Sequence, residues 1–171
     1  TIQGGSLICI AQILNGPYSI SSSVEELLEL EEKSKLDQPE TLKNFAVRLK
    51  TLKGKIGSIL ANYKGQGKTI AGFGAARSGT TLIAQMGLGK LLDFIVDDNQ
   101  EKQGKYTPGE HIPILPTKAI YEKKPDYLFI LAWIHAKKIM KDNKKFLDGG
   151  GKFIVCFPDV RIIDKKEFSE I

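Results

Sequence analysis

Thr69-Ile70-Ala71-Gly72-Phe73-Gly74-Ala75-Ala76-Arg77-Ser78-Gly79 decides how this sequence is read: a short apolar strand, a glycine-rich bend, and the approach to a helix over Thr80–Met86. Downstream the same alternation continues. Leu92–Val96 reads as a strand, Ile112–Ile114 as a short extended piece, Thr117–Lys123 as a helix, Tyr127–Trp133 as a continuous apolar strand, Ala136–Phe146 as a helix and Lys152–Phe157 as a strand. Near-continuous apolar strands separated by helices predict an α/β parallel sheet in three layers with helices on both faces, because each crossover lays a helix over the sheet.

Upstream, the period changes. Ser6–Ala11 is an apolar strand candidate closed by the turn signal Asn15-Gly16-Pro17. Ser23 with Glu26 predicts a capping box opening a helix that runs to about Lys35, with Val24, Leu27, Leu28 and Leu30 as its apolar stripe. A second, longer helix begins around Asp37, Pro39 and Glu40, with apolar residues recurring at three- and four-residue steps from Leu42 to Tyr63. Lys43, Lys50 and Lys53 on its other face read as solvated surface. The expected division is residues 1–67, a strand and two helices, followed by residues 68–171, the sheet domain.

The 171 residues are 42% hydrophobic and 26% charged, which excludes collagen-like and disordered classes. With 25 basic and 20 acidic residues the net charge is +5, compatible with an anionic ligand and too small to argue for nucleic acid. The longest apolar run, Leu128 to Ile134, is far short of the ~20 residues that cross a bilayer, so no membrane partner is expected. The start at Thr1 has neither an initiator Met nor a signal-peptide pattern and reads as a piece of something longer. Cys9 and Cys156 both lie in apolar stretches without CxxC spacing, which predicts buried, reduced thiols, no metal site and a cytoplasmic chain.

Parallel sheets bind ligands beyond the carboxyl ends of their strands, which directs attention to the loops after Phe73, Val96 and Trp133. In the first, Gly72 and Gly74 allow a tight bend and close backbone approach, while Ala75, Ala76, Arg77 and Ser78 lead into a helix whose first amides suit a phosphate. A dinucleotide fingerprint has Gly where Arg77 stands, which counts against standard NAD binding; the guanidinium instead suits bidentate pairing with phosphate. Asp97, 25 residues after Gly72, sits where such folds place a ribose-binding acid; Asp98 and Asn99 are either ligands or turn residues. His111 and His135 have the imidazole a general base needs, with no visible nucleophile or second ligand nearby.

The segments Gly72–Gly79, Val96-Asp97-Asp98-Asn99, Lys102-Gln103-Gly104, Pro108–Ile114, Pro125-Asp126-Tyr127 and Ile130-Leu131-Ala132-Trp133, in this order and spacing, resemble the C-terminal domain of sugar-nucleotide C-methyltransferases. Gly4-Gly5-Ser6-Leu7 is similar to that family's Gly-Gly-Ser-Leu segment, so the resemblance covers nearly the whole chain. It implies a Rossmann-like domain that holds a nucleotide-diphospho-sugar against a methyl-donor domain of the same parent chain. S-adenosylmethionine would bind outside this piece, no cofactor is expected within it, and the piece alone is expected to be inactive. The reaction implied is methylation of the carbon next to a keto group on a deoxysugar, after a base removes the α-proton. The resemblance tips Lys102 and Gln103 toward diphosphate or sugar contacts and marks Trp133 as a third-loop candidate.

Two residues depart from the family's pattern. Gln3 stands where a His commonly precedes Gly-Gly-Ser-Leu, and an amide cannot be the base, which leaves the catalytic residue unknown. Ile134 follows Ala132-Trp133 where Asn is usual, which removes a polar group and leaves packing as a sufficient role for Trp133. Two alternatives stay open: a non-enzymatic NAD(P)- or nucleotide-binding domain with Asp97 on a ribose, and a docking domain whose glycine turn faces another domain.

Overall fold

The computed structural model describes residues 7–169. They fall into two compact units divided between Leu49 and Lys50, inside a helix, rather than after residue 67. The reason is packing: Ile56 and Leu60, in the second half of that helix, are fully buried, and Tyr63 stacks on Tyr127 at 4.0 Å with the rings 12° apart.

In the first unit, residues 7–13 form neither helix nor strand, so the strand expected over 6–11 is not paired here; Ser6, with Gln3, Gly4 and Gly5, lies outside the described residues. Cys9 is accordingly exposed, not buried as expected, while Cys156 is buried. Helix α1 spans Ser22–Lys33. Its N-cap is Ser21, whose hydroxyl accepts from the Ser23 amide; the capping box expected at Ser23 does not form because the helix starts before it. None of its residues is buried. Helix α2, Pro39–Gly65, opens with Pro at its first position, where the missing N–H costs nothing.

The second unit holds a six-stranded sheet in the order β3-β2-β1-β4-β5-β6, with β1 Ile70–Phe73, β2 Phe94–Val96, β3 Ile114–Leu115, β4 Tyr127–Ile130, β5 Lys152–Val155 and β6 Arg161–Ile163. Five strands are parallel; β6, which the sequence pattern does not predict, returns antiparallel to β5. Helices α3 Arg77–Met86, α4 Ala119–Lys123, α5 Ala136–Asp142, α6 Lys144–Asp148 and α7 Lys165–Phe168 complete it. The single helix expected over 136–146 is broken at Asn143, whose side-chain amide donates to the Ile139 carbonyl while its carbonyl oxygen accepts from the Tyr121 hydroxyl. Strand β4 ends at Ile130, and Trp133–His135 make one turn of 3-10 helix.

The pleat sorts the core. Ala71, Phe73, Leu128, Ile130 and Phe153 share one face with Ile120, Met140 and Phe146. On the other face Ile70, Gly72, Tyr127 and Phe129 are in register, and Tyr63 of α2 packs on Tyr127 there. Asp93 accepts from the Ile70 amide at 2.7 Å and from Lys64 at 2.7 Å, and Asp126 accepts from the Thr69 amide and Lys68, both at 2.9 Å. The end of α2 is thereby tied to the start of β1, and all the strand ends that carry the predicted loops point the other way.

Candidate functional site

The carboxyl ends of β1, β2 and β4 converge because those strands are neighbours. Their closeness leaves no room for side chains at the bend. A Cβ on Gly72 would lie 2.7 Å from Leu131 Cδ1 and 3.0 Å from Ile95 Cγ1. Gly74, at φ +99°, occupies backbone that L-residues rarely adopt, and a Cβ there would sit 2.7 Å from Ala132 Cβ. Gly79 closes the arrangement: its Cβ would fall 2.8 Å from the Gly74 carbonyl oxygen, so α3 rests directly on the bend. The third glycine of the usual fingerprint, absent at Arg77, is thus replaced two residues on by Gly79, which does the same packing.

Asp97 organises the loops. It is 8% exposed, and its carboxylate accepts from the Ala75 amide at 2.7 Å, the Asn99 amide at 2.9 Å and Lys102 Nζ at 3.1 Å. Its carbonyl oxygen accepts from Gln103 Nε2 at 2.9 Å. Five predicted site residues, Ala75, Asp97, Asn99, Lys102 and Gln103, therefore form one network. Asn99 uses its side-chain oxygen to accept from the Glu101 amide, and Asp98 turns outward to accept from the Thr117 hydroxyl.

This corrects which amides of the bend are open. Gly74 N–H donates to the Val96 carbonyl at 2.8 Å and Ala75 N–H is held by Asp97, so neither is free to meet an anion. The free donors begin one residue later. Helix α3 starts at Arg77, earlier than expected, with Ala76 as an N-cap that offers no side chain, and helix geometry leaves the first-turn amides without intrahelical partners. Arg77 is exposed and pairs with no carboxylate among the described residues. Ser78 is half-buried in the same turn.

Trp133 is 40% exposed, with its ring against Phe157 at 5.1 Å and a tilt of 58°. His111 sits at φ +52° in an exposed loop, and His135 is the N-cap residue of α5, its side chain making no cap hydrogen bond. The contacts of Thr117 and Phe157 carry no signal in the sequence, whereas that of Gly79 has one in its spacing from Gly74. Two cavities, of about 290 and 270 Å³, lie at the opposite ends of the strands, beside Lys152 and Asp126 respectively, and the glycine bend lines neither. Among the described residues no group of three or more His, Cys, Asp or Glu side chains could hold a metal ion, and no helix is long and apolar enough to cross a membrane.

Residues 1–158 match the profile of the C-methyltransferase C-terminal domain family. The C-methyltransferase NovU of Streptomyces niveus is 34% identical over 163 residues, which are 95% of this chain and 39% of that protein. The chain thus spans about two fifths of that relative's length. Among solved structures, UDP-D-quinovosamine 4-dehydrogenase from Vibrio fischeri aligns with a TM-score of 0.42 and 15% identity over 59% of this chain and 97% of that one, a likeness too distant to carry an argument.

Proposed function

The chain belongs to the C-methyltransferase C-terminal domain family, and from that premise we propose that it is the part of a larger cytoplasmic enzyme that holds a nucleotide-diphospho-sugar for C-methylation. The relative's own name supports methyl transfer to carbon; the sugar-nucleotide substrate is what the family resemblance implies, and the donors at the site are compatible with it.

The observation that carries it is Arg77: an unpaired guanidinium on the first turn of α3, beside amides that no side chain caps. Both are suited to the diphosphate. The bend of Gly72 and Gly74 brings that turn close to the strand ends, and Asp97, through Ala75 and Asn99, keeps its shape. Ala76, Arg77 and Ser78 face the anion in this reading, Lys102 and Gln103 reach sugar or phosphate oxygens from their places around Asp97, Asp98 and Asn99 line the second loop, and Trp133 offers a ring face to the sugar or base. The contribution of these residues is orientation: they fix the substrate so that the carbon beside the keto group meets the methyl donor and the base, both supplied from elsewhere in the parent chain.

Asp97 also bears on the cofactor. Three of the chain's own donors, two on Oδ2 and one on Oδ1, take most of the carboxylate's roughly four acceptor positions, which leaves one at most for a ribose hydroxyl at the end of β2. That weighs against the NAD(P)-binding alternative; a methyl donor bound outside these residues is what the family resemblance implies.

Calorimetric titration with a dTDP-linked keto-deoxysugar tests the reading. Arg77→Ala is expected to weaken binding at least about tenfold, roughly 1.4 kcal/mol. An unchanged affinity removes Arg77 from the site, and a saturable rise of NADH fluorescence on adding the protein would favour the alternative.

A further inference from the structure

Leu7-Ile8-Cys9-Ile10-Ala11-Gln12-Ile13-Leu14 is the most anomalous stretch of the described chain. Leu7, Ile8, Ile10, Ile13 and Leu14 stand 68 to 93% exposed. Among the described residues, none of the backbone groups of residues 7–12 has a backbone partner, and the stretch adds to no strand of the six-stranded sheet. It ends in an ordered turn: Asn15 has φ 64°, the Gly16 amide donates to the Ile13 carbonyl, and the Gln12 side chain bonds both the amide and the carbonyl of Tyr18.

A run this apolar, with its peptide groups unpaired, has two demands that water does not meet: cover for its side chains and partners for its N–H and C=O groups. Strand pairing meets both. The β-branched Ile8, Ile10 and Ile13 favour a strand, eight residues is strand length, and the turn at Asn15-Gly16 bounds it. The pattern also says which kind of sheet. A strand with one solvated face alternates, whereas Leu7–Ala11 is apolar at every position, as in strands covered on both faces by helices. Two copies of this stretch paired with each other would make a bare ribbon with neither face covered.

We infer that residues 7–14 are a strand of the methyl-donor domain's sheet, contributed by this part of the chain and buried between that domain's helix layers. This rests on the reading that the chain belongs to a larger enzyme, and the 39% of the relative that it spans leaves ample chain for such a domain. This segment is then joined to its neighbour by shared sheet, not only by a covalent linker.

Amide hydrogen exchange on the full-length parent protein tests this. Peptides covering residues 7–14 should exchange at least about a hundredfold more slowly than the turn at 15–17, in the range of the β1 peptide covering 70–73. Ile10→Pro, which removes a ladder donor, should abolish that protection while β1 keeps its own; Ile10→Val should retain it. Exchange of 7–14 as fast as the turn overturns the proposal. Protection that disappears when a dimer is diluted to monomer also overturns it, because a second copy would then be the partner. The sugar-nucleotide titration is independent: a protein that binds no sugar nucleotide but protects 7–14 refutes the functional reading and leaves the shared strand standing.

Discussion

Asp97→Ala separates two roles for one carboxylate. Here it accepts two backbone amides, Ala75 at 2.7 Å and Asn99 at 2.9 Å, and an ammonium at 3.1 Å, with only 11% of its side chain exposed. Alanine would leave both amides without their acceptor, at about 1–3 kcal/mol each. The lysine pair adds little, since Lys102 is 37% exposed and can turn to water. Partial access of water to the loop puts the total near the middle of that range, roughly 3–4 kcal/mol, or a fall in Tm of about 10 °C for a chain of this size. Asp97→Asn keeps one acceptor oxygen and should lose about half as much. The assay is thermal unfolding of the ligand-free protein followed by circular dichroism, with Lys102→Ala as the control expected to stay within about 1 kcal/mol. An Asp97→Ala protein that melts like the wild type and has lost only ligand affinity would refute the loop-holding role and return Asp97 to the ribose-binding one.

Further outcomes follow from the same geometry. Gly74→Ala should cost about 2–4 kcal/mol in denaturant unfolding, since it combines φ +99° with a Cβ 2.7 Å from Ala132; a cost below about 1 kcal/mol would mean the bend relaxes freely. Burial pushes the Cys156 thiol from its ordinary 9.0 up to about 12, so the unfolded chain ionises first and stability should fall as pH rises from 9 toward 12, by at most about 1.4 kcal/mol per pH unit; Cys156→Ala should flatten that fall most cleanly between pH 9 and 10, below the ordinary range of Tyr127. The Thr69 amide and then Lys68 hold Asp126 below the usual carboxylate value, so its stabilisation is present above that value and is lost as pH drops through the lowered one; Asp126→Asn should remove this part of the acid-side decline in Tm.

The core strands could be read from the sequence because each is a short apolar run between glycine, proline or aspartate signals, and burial on both faces makes such runs continuous. Their ends could not. Trp133 belongs to a 3-10 turn although its apolarity extends the run of β4, and Arg77 begins a helix although the glycines on either side suggest a loop. Strand β6 escaped notice because Arg161-Ile162-Ile163 is too short to carry a period. At the site, the residue types were readable and their pairings were not: Asp97 could be placed at the end of β2 by spacing, but that its partner is the Ala75 amide depends on how β1 and β2 align. The strand expected over Ser6–Ala11 is not formed among the described residues, because an apolar, β-branched composition favours a strand only where a neighbouring strand is there to pair with it.

The carboxylate clasp beneath the glycine bend bears on the speed of association as well as its strength. Because the bend is held in shape by its own chain, an anion received on the first turn of α3 would meet less loop disorder to surrender, and that part of the entropic toll would fall outside the binding equilibrium. Capture there would be governed by encounter and by long-range attraction to the positive side chain, and would slow with added salt rather than with cooling of a floppy segment.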